Sequence, residues 1–195
     1  MNIGVVGGSG FIGSHTVDEL LNKGYDVTVI DLVPPRQHNA KYIQCDILNR
    51  DDIVRATTGI DIIYMLAACK YVDTCYNDPI HAVTVNILGL TNTLQACRTN
   101  NVKRVIFASS VWAYSNCTGD TVNESADIII KPTNIYPYTK IVGEGLIRNF
   151  NKLYGVDYTI LRYGIAYGPR ANHGIVLRVF IDKILRNQPI VIHGD

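Results

Sequence analysis

Tyr136 and Lys140 stand four residues apart in the run Tyr136-Pro137-Tyr138-Thr139-Lys140. On a helix that spacing puts both side chains on one face. A phenol beside an ammonium is the apparatus of a general base: the positive charge favours tyrosinate and lowers the phenol from its ordinary value of about 10. Tyr138 is a decoy, because the residue four further on is Val142. A surface tyrosine and lysine on a helix is the plainer reading of such a pair in an arbitrary protein. What tips the balance is Ser110, whose hydroxyl can hold a substrate oxygen while Tyr136 takes its proton. Ser109 competes for that role, and either serine also fits a simple turn.

A second group of residues lies at the other end of the chain. In Gly7-Gly8-Ser9-Gly10-Phe11-Ile12-Gly13, residues Gly8, Gly10 and Gly13 match G-x-G-x-x-G, and Gly7, Gly10 and Gly13 match the variant with two residues between glycines. Such a loop turns sharply and lets its backbone approach a pyrophosphate, while the N–H groups of the following helix face the anion. Asp31 follows Gly13 by 18 residues, where a carboxylate accepts hydrogen bonds from an adenosine ribose and repels a 2′-phosphate. That favours NAD over NADP, although a helix-cap or turn aspartate is an equal reading, and Arg36 stands near enough to receive a phosphate. Asp46-Ile47 fits a flank of the adenine and fits an N-cap before a helix equally well.

These groups act together only if the chain brings them to one place. The apolar runs Ile3–Val6, Asp26–Ile30, Tyr42–Gln44, Ile60–Met65, Arg104–Ala108 and Asp157–Leu161 read as strands. Helical spacing occupies Phe11 to Asn22, Arg50–Thr57, about Pro79 to Arg98, about Tyr136 to Tyr154, and about Ile175–Arg186. Continuously apolar strands alternating with helices imply a parallel sheet covered on both faces. A sheet of that kind binds ligands beyond the carboxyl ends of its strands, where the glycine loop, Asp31 and Ser110 all fall.

Composition narrows the function classes. Of 195 residues, 47% are hydrophobic and 18% charged, which is globular and not disordered. Lys+Arg number 18 against 17 Asp+Glu, so nothing electrostatic draws this chain to nucleic acid or to an anionic membrane. No apolar stretch is long enough to span a bilayer. Cys45, Cys69, Cys75, Cys97 and Cys117 are an odd set without a C-x-x-C pair, which reads as free thiols in a reducing, cytoplasmic setting rather than a disulfide framework. His15, His38, His81, His173 and His193 form no constellation, and no metal site is expected.

The chain resembles the extended short-chain dehydrogenase/reductase family, in its sugar-nucleotide epimerase/dehydratase branch. The resemblance rests on Gly7–Gly13, Asp31, Asp46-Ile47, Leu66-Ala67-Ala68, Asn86, Ser109-Ser110 with Tyr114, Tyr136 with Lys140, and Arg162 through Tyr167-Gly168-Pro169-Arg170. It implies an α/β fold, a Rossmann-type doubly wound parallel sheet with helices on both faces, spanning residues 1–195. It also implies that the substrate lobe is largely absent, with about 170–195 its truncated beginning. It implies Ser110, Tyr136 and Lys140 as catalytic residues, Ser110 being four before Tyr114. It also implies NAD bound by Gly7, Gly10, Phe11, Ile12, Gly13, Asp31, Asp46, Ile47, Leu66, Ala67, Ala68, Lys70, Asn86, Tyr136, Lys140 and Tyr163. The implied reaction is epimerisation of a nucleotide sugar through a transient keto form, with homodimerisation through the two long helices. Net oxidoreduction and a non-catalytic NAD-binding fragment are the competing expectations. Two departures matter. Ser110-Val111-Trp112 replaces the threonine-aspartate-glutamate run of the dehydratases, and Ile165 replaces an asparagine that helps bind the sugar-nucleotide phosphate. Trp112 lines the substrate cleft or packs in the core.

Overall fold

Six strands run parallel in the spatial order β3-β2-β1-β4-β5-β6: β1 Asn2–Val6, β2 Asp26–Asp31, β3 Lys41–Gln44, β4 Ile62–Met65, β5 Arg104–Ser110 and β6 Asp157–Tyr163. The computed structural model describes residues 1–118, 121–126, 128, 134–171 and 175–192. The chain divides into two units, 1–164 and 165–195. All six strands belong to the first.

Alternation along the strands explains why both faces are covered. Ile3 and Val5 of β1, with Val27 and Val29 of β2, bury against Val17 and Leu20 of helix α1 (Phe11–Asn22). The intervening side chains point the other way. Val6, Ile30, Ile63, Met65, Val105 and Phe107 form a larger core with Ile53 of α2 (Arg50–Ala56), Leu90 and Leu94 of α5 (Leu90–Thr99) and Ile147 of α6 (Ile135–Tyr154). A period of two in the strands and apolar stripes on the helices suffice for this layering.

Three local features depart from the sequence expectation. The helix expected as one piece over Pro79–Arg98 is α4 (Pro79–Val83), a π-helical stretch (Thr84–Gly89) and α5, continuous in backbone but wider in its middle. An unexpected short helix, α3 (Val72–Asn77), precedes it. The N-cap of α2 is Asn49, whose Oδ1 accepts from the amides of Asp51 and Asp52; Asp46 instead accepts from Leu48 N within its own turn. In the second unit, α7 (Val176–Leu185) carries an Arg178–Asp182 pair one turn apart and has no buried residue. His173, His193 and the end of the expected 170–195 lobe segment lie outside the described residues.

Candidate active site

The order of the strands reverses between β1 and β4, and the glycine loop leaves β1 at that point. Gly7 has φ +82°, and a Cβ there would stand 2.6 Å from Ala67 N. A Cβ on Gly13 would stand 2.1 Å from Gly7 O and 2.7 Å from Gly8 Cα. Both clashes are with backbone, which side-chain motion cannot relieve. Helix α1 therefore starts against the loop, with Gly10 as an N-cap that offers no side chain and Phe11, Ile12 and Gly13 as its first turn. The N–H groups of a first turn have no partner within the helix, which makes this a cradle for an anion. Asp31 closes its side: Oδ2 accepts from Ser9 N at 3.0 Å and Oδ1 from Val33 N at 3.2 Å. Opposite, the amides of Leu66 and Ala67 both donate to Val6 O, fixing the exit of β4 against the loop. Ala68 follows, half-buried.

At the far end of β5, Ser110 is buried and pairs in register with Tyr163 of β6. Its Oγ accepts from Trp112 N, which starts the 3-10 turn Val111–Tyr114. The Ser110 hydroxyl also lies close enough to the Tyr136 phenol to lower its pKa. Tyr136 sits in the first turn of α6, where Asn134 caps the helix by accepting from Tyr136 N at 2.9 Å. One turn on, Lys140 is 4% exposed and donates from Nζ to Ala108 O at 2.8 Å; its ammonium is 5.8 Å from the Tyr136 ring centroid.

The titration of this pair is a correction to the sequence expectation. Burial raises the Tyr136 phenol above its ordinary value, with the Ser110 hydroxyl lowering it and Cys75 raising it. It is not lowered by its lysine. The same burial acts on Lys140, whose pKa falls to about 8. Desolvation opposes both charged forms, and an ammonium already held by a carbonyl has less to give the phenol.

The two serines have different surroundings. Ser109 donates to Glu144 Oε1 at 2.6 Å, on the face away from Tyr136's partner Ser110. Glu144 is 1% exposed and also accepts from Arg162 Nε at 2.9 Å, Arg162 Nη2 at 2.8 Å and Arg148 Nη2 at 3.0 Å. Arg162 Nη1 donates to the Tyr114 hydroxyl. Burial alone would raise the Glu144 carboxyl, but the arginine and serine donors outweigh it and hold it below the usual carboxylate range. This network fixes β5, β6, α6 and the 3-10 turn behind the site, and the sequence reading missed it. The signal was present: Tyr136, Lys140, Glu144 and Arg148 recur every four residues along one helix face.

Of the other expected residues, Asn86 lies buried in the π stretch and ties three elements together. Its Oδ1 accepts from Cys69 N at 2.7 Å, and its Nδ2 donates to Cys69 O at 2.9 Å and to Thr139 Oγ1 at 3.0 Å. A widened turn at a site is where such a side chain finds room. Ile47 is buried under Gly89, a core contact rather than an open face. Lys70 is exposed, its ammonium 5.4 Å from the Tyr71 ring centroid. Trp112 is half exposed, so it is not a core tryptophan.

Residues 3–195 match the NAD dependent epimerase/dehydratase family. The chain belongs to this family. Among the members of the NAD dependent epimerase/dehydratase family that it resembles, the UDP-glucose 4-epimerase of Mycolicibacterium smegmatis is 30% identical over 210 residues, covering 98% of this chain and 65% of the relative. The UDP-glucose 4-epimerase of Thermus thermophilus, solved in complex with NAD, superposes with TM-score 0.89 at 29% identity, over 97% of this chain and 64% of that one. The UDP-glucuronic acid 4-epimerase of Bacillus cereus, solved with UDP-glucuronic acid and NAD, gives TM-score 0.89 at 32% identity, over 100% and 66%. This family member thus spans about 65% of the length of these relatives. Among the described residues no helix is long and apolar enough to cross a membrane.

Proposed function

We propose that the chain carries the NAD site and the catalytic residues of an NAD-dependent epimerase acting on a nucleotide sugar. The observation that carries this reading is the Ser110–Tyr136–Lys140 constellation at the carboxyl end of β5, on the same edge of the sheet as the glycine loop. The residues present fit a dinucleotide. Backbone contacts leave no room for a Cβ at Gly7 or Gly13, and the first turn of α1 and the Asp31 carboxylate offer donors and acceptors where a pyrophosphate and a ribose need them. When bound, NAD supplies a hydride acceptor that can return what it takes.

The protein's own part is proton movement and positioning. Tyr136 receives the proton of a sugar hydroxyl at its phenolate oxygen and later gives it back, while the Ser110 hydroxyl hydrogen-bonds the same substrate oxygen. Burial opposes the phenolate and the Ser110 hydroxyl favours it, while the Lys140 ammonium on the same helix face is held by Ala108 O. If the keto sugar turns over in place before reduction, the stereocentre inverts. A dehydratase would need an acid for the leaving hydroxyl. Val111 and Trp112 occupy those positions, and Glu144 is engaged by Arg162, Arg148 and Ser109.

Among the described residues no disulfide joins the cysteines, which supports a cytoplasmic protein. Ile80, Val83 and Leu88, exposed along α4 and the π stretch, support a homodimer through this helix and α6; a monomer by sedimentation at micromolar concentration would oppose it. The function itself is tested by mass spectrometry of the purified protein under non-denaturing conditions, followed by a panel of UDP- and dTDP-sugars. Bound NAD with epimer formed and no net NADH supports the reading. NADH accumulating in step with product would replace it with net oxidoreduction, and bound NAD without turnover would reduce it to a binding module.

A further inference from the structure

Cys69 and Cys75 face each other with their Sγ atoms 3.6 Å apart, and the Cys75 thiol also donates to Cys69 O at 3.7 Å. With Ala82 they form a small cluster of their own, against which Val85, Ile135 and Tyr136 pack. The two cysteines are held very differently. Cys69 is clamped through its backbone N–H and C=O by Asn86. Cys75 belongs to α3, and along residues 70–81 it is the one buried residue; all its neighbours there are exposed. The helix is thus anchored through this thiol, and a local opening of this short helix is enough to bring the Cys75 sulfur to solvent.

We propose that Cys69 and Cys75 form a redox-active dithiol that closes reversibly to a disulfide at the edge of the candidate active site. Two sulfurs already in contact need only approach to about 2.05 Å, a movement of roughly 1.5 Å that α3 can supply as an exposed element. The oxidant is a low-molecular-weight disulfide. One cysteine thiolate attacks it, forming a mixed disulfide and releasing one thiol. The second cysteine thiolate then attacks the protein sulfur of that mixed disulfide and releases the other thiol. Two protein S–H bonds are lost and one S–S bond formed, two electrons pass to the small disulfide, and two small thiols result. In the packed form Cys75 is a poor nucleophile, its thiol raised to about 11 by burial with the neighbouring Cys69 adding to it. Exchange therefore waits on the opening of α3. Once made, the bond ties α3 to the loop that carries Lys70 and constrains the surface beside Tyr136.

The test reads the bond itself, so its outcome does not depend on the proposed epimerase activity. The folded full chain is incubated with excess oxidised glutathione, acid-quenched, alkylated in denaturant and digested with trypsin. Cleavage after Arg55, Lys70 and Arg98 puts Cys69 in peptide 56–70 and Cys75, with Cys97, in peptide 71–98. The expected result is a linked pair of these peptides, assigned by fragmentation to Cys69–Cys75, reversed by dithiothreitol. Cys69→Ser and Cys75→Ser should each abolish the link and leave a glutathione adduct on the remaining cysteine; Cys75→Ala serves if a serine variant loses its helical circular dichroism. A link made through Cys97, or one formed only when the chain is first unfolded in urea, would overturn the proposal.

Discussion

Removing the Glu144 carboxylate should be among the most damaging single changes in the chain, although it touches neither the glycine loop nor Tyr136. The side chain is 1% exposed, and its two oxygens accept four hydrogen bonds from Ser109, Arg162 and Arg148. Glu144→Ala leaves the Arg162 guanidinium, itself 11% exposed, charged and without its carboxylate. Breaking a buried pair from one side costs about 3–5 kcal/mol, whereas half-exposed Arg148 adds no more than about 0.5 kcal/mol. Against a total stability of roughly 5–15 kcal/mol this is a large loss. Glu144→Gln keeps the volume and one acceptor, so its loss should be smaller, about 2 kcal/mol. Removing both partners as Glu144→Leu with Arg162→Met should recover much of the difference, because no uncompensated charge remains. The assay is urea unfolding at pH 7 with the denaturant slope unchanged. The pH dependence carries a sign. The folded carboxyl lies below its unfolded value of about 4.3, so its contribution is present above that pH and fades as pH falls through the folded value. The gap between wild type and Glu144→Ala should therefore narrow in acid. A loss under about 1 kcal/mol at pH 7, or a gap that stays constant in acid, would refute the reasoning.

Other perturbations give equally definite expectations. Lys140 titrates near 8 in the fold and near 10.4 unfolded, so its charge costs stability fully below about 8, and the cost is relieved as pH rises toward 10.4. Lys140→Met should lack that rise and, after losing the Ala108 bond, be as stable as wild type at pH 7 or up to about 2 kcal/mol more so, while losing turnover; urea titrations at pH 7 and pH 10 check it. Gly13→Ala must push the helix from the loop, since its Cβ meets Gly7 O at 2.1 Å. It should cost about 1–3 kcal/mol and abolish NAD binding measured by calorimetry. Asp31→Ala frees the amides of Ser9 and Val33 and should weaken NAD while narrowing its advantage over NADP.

Much of this architecture was legible because its causes are local. Apolar strand runs, the glycine spacing and the four-residue interval from Tyr136 to Lys140 each encode a geometry that tertiary packing then uses. What escaped needed three dimensions. Asp46 and Asn49 are both good caps, and only the path of the chain assigns α2 to Asn49. The π stretch around Asn86 has ordinary helical residues, and its extra width answers to the backbone of Cys69, 17 positions away. Ser109 and Ser110 are indistinguishable as letters, yet strand alternation sends one to Glu144 and the other to Tyr136. The direction of the Tyr136 and Lys140 shifts is set by the burial around them, which residue spacing does not show.

The most direct measurement pairs wild type with Tyr136→Phe. Both proteins are purified, their bound nucleotide is quantified, and each is incubated with UDP-glucose and the other nucleotide sugars, with epimer formation followed by NMR at the inverting carbon. The account predicts NAD in both proteins and turnover in the wild type alone. Epimerisation by Tyr136→Phe at the wild-type rate would contradict it.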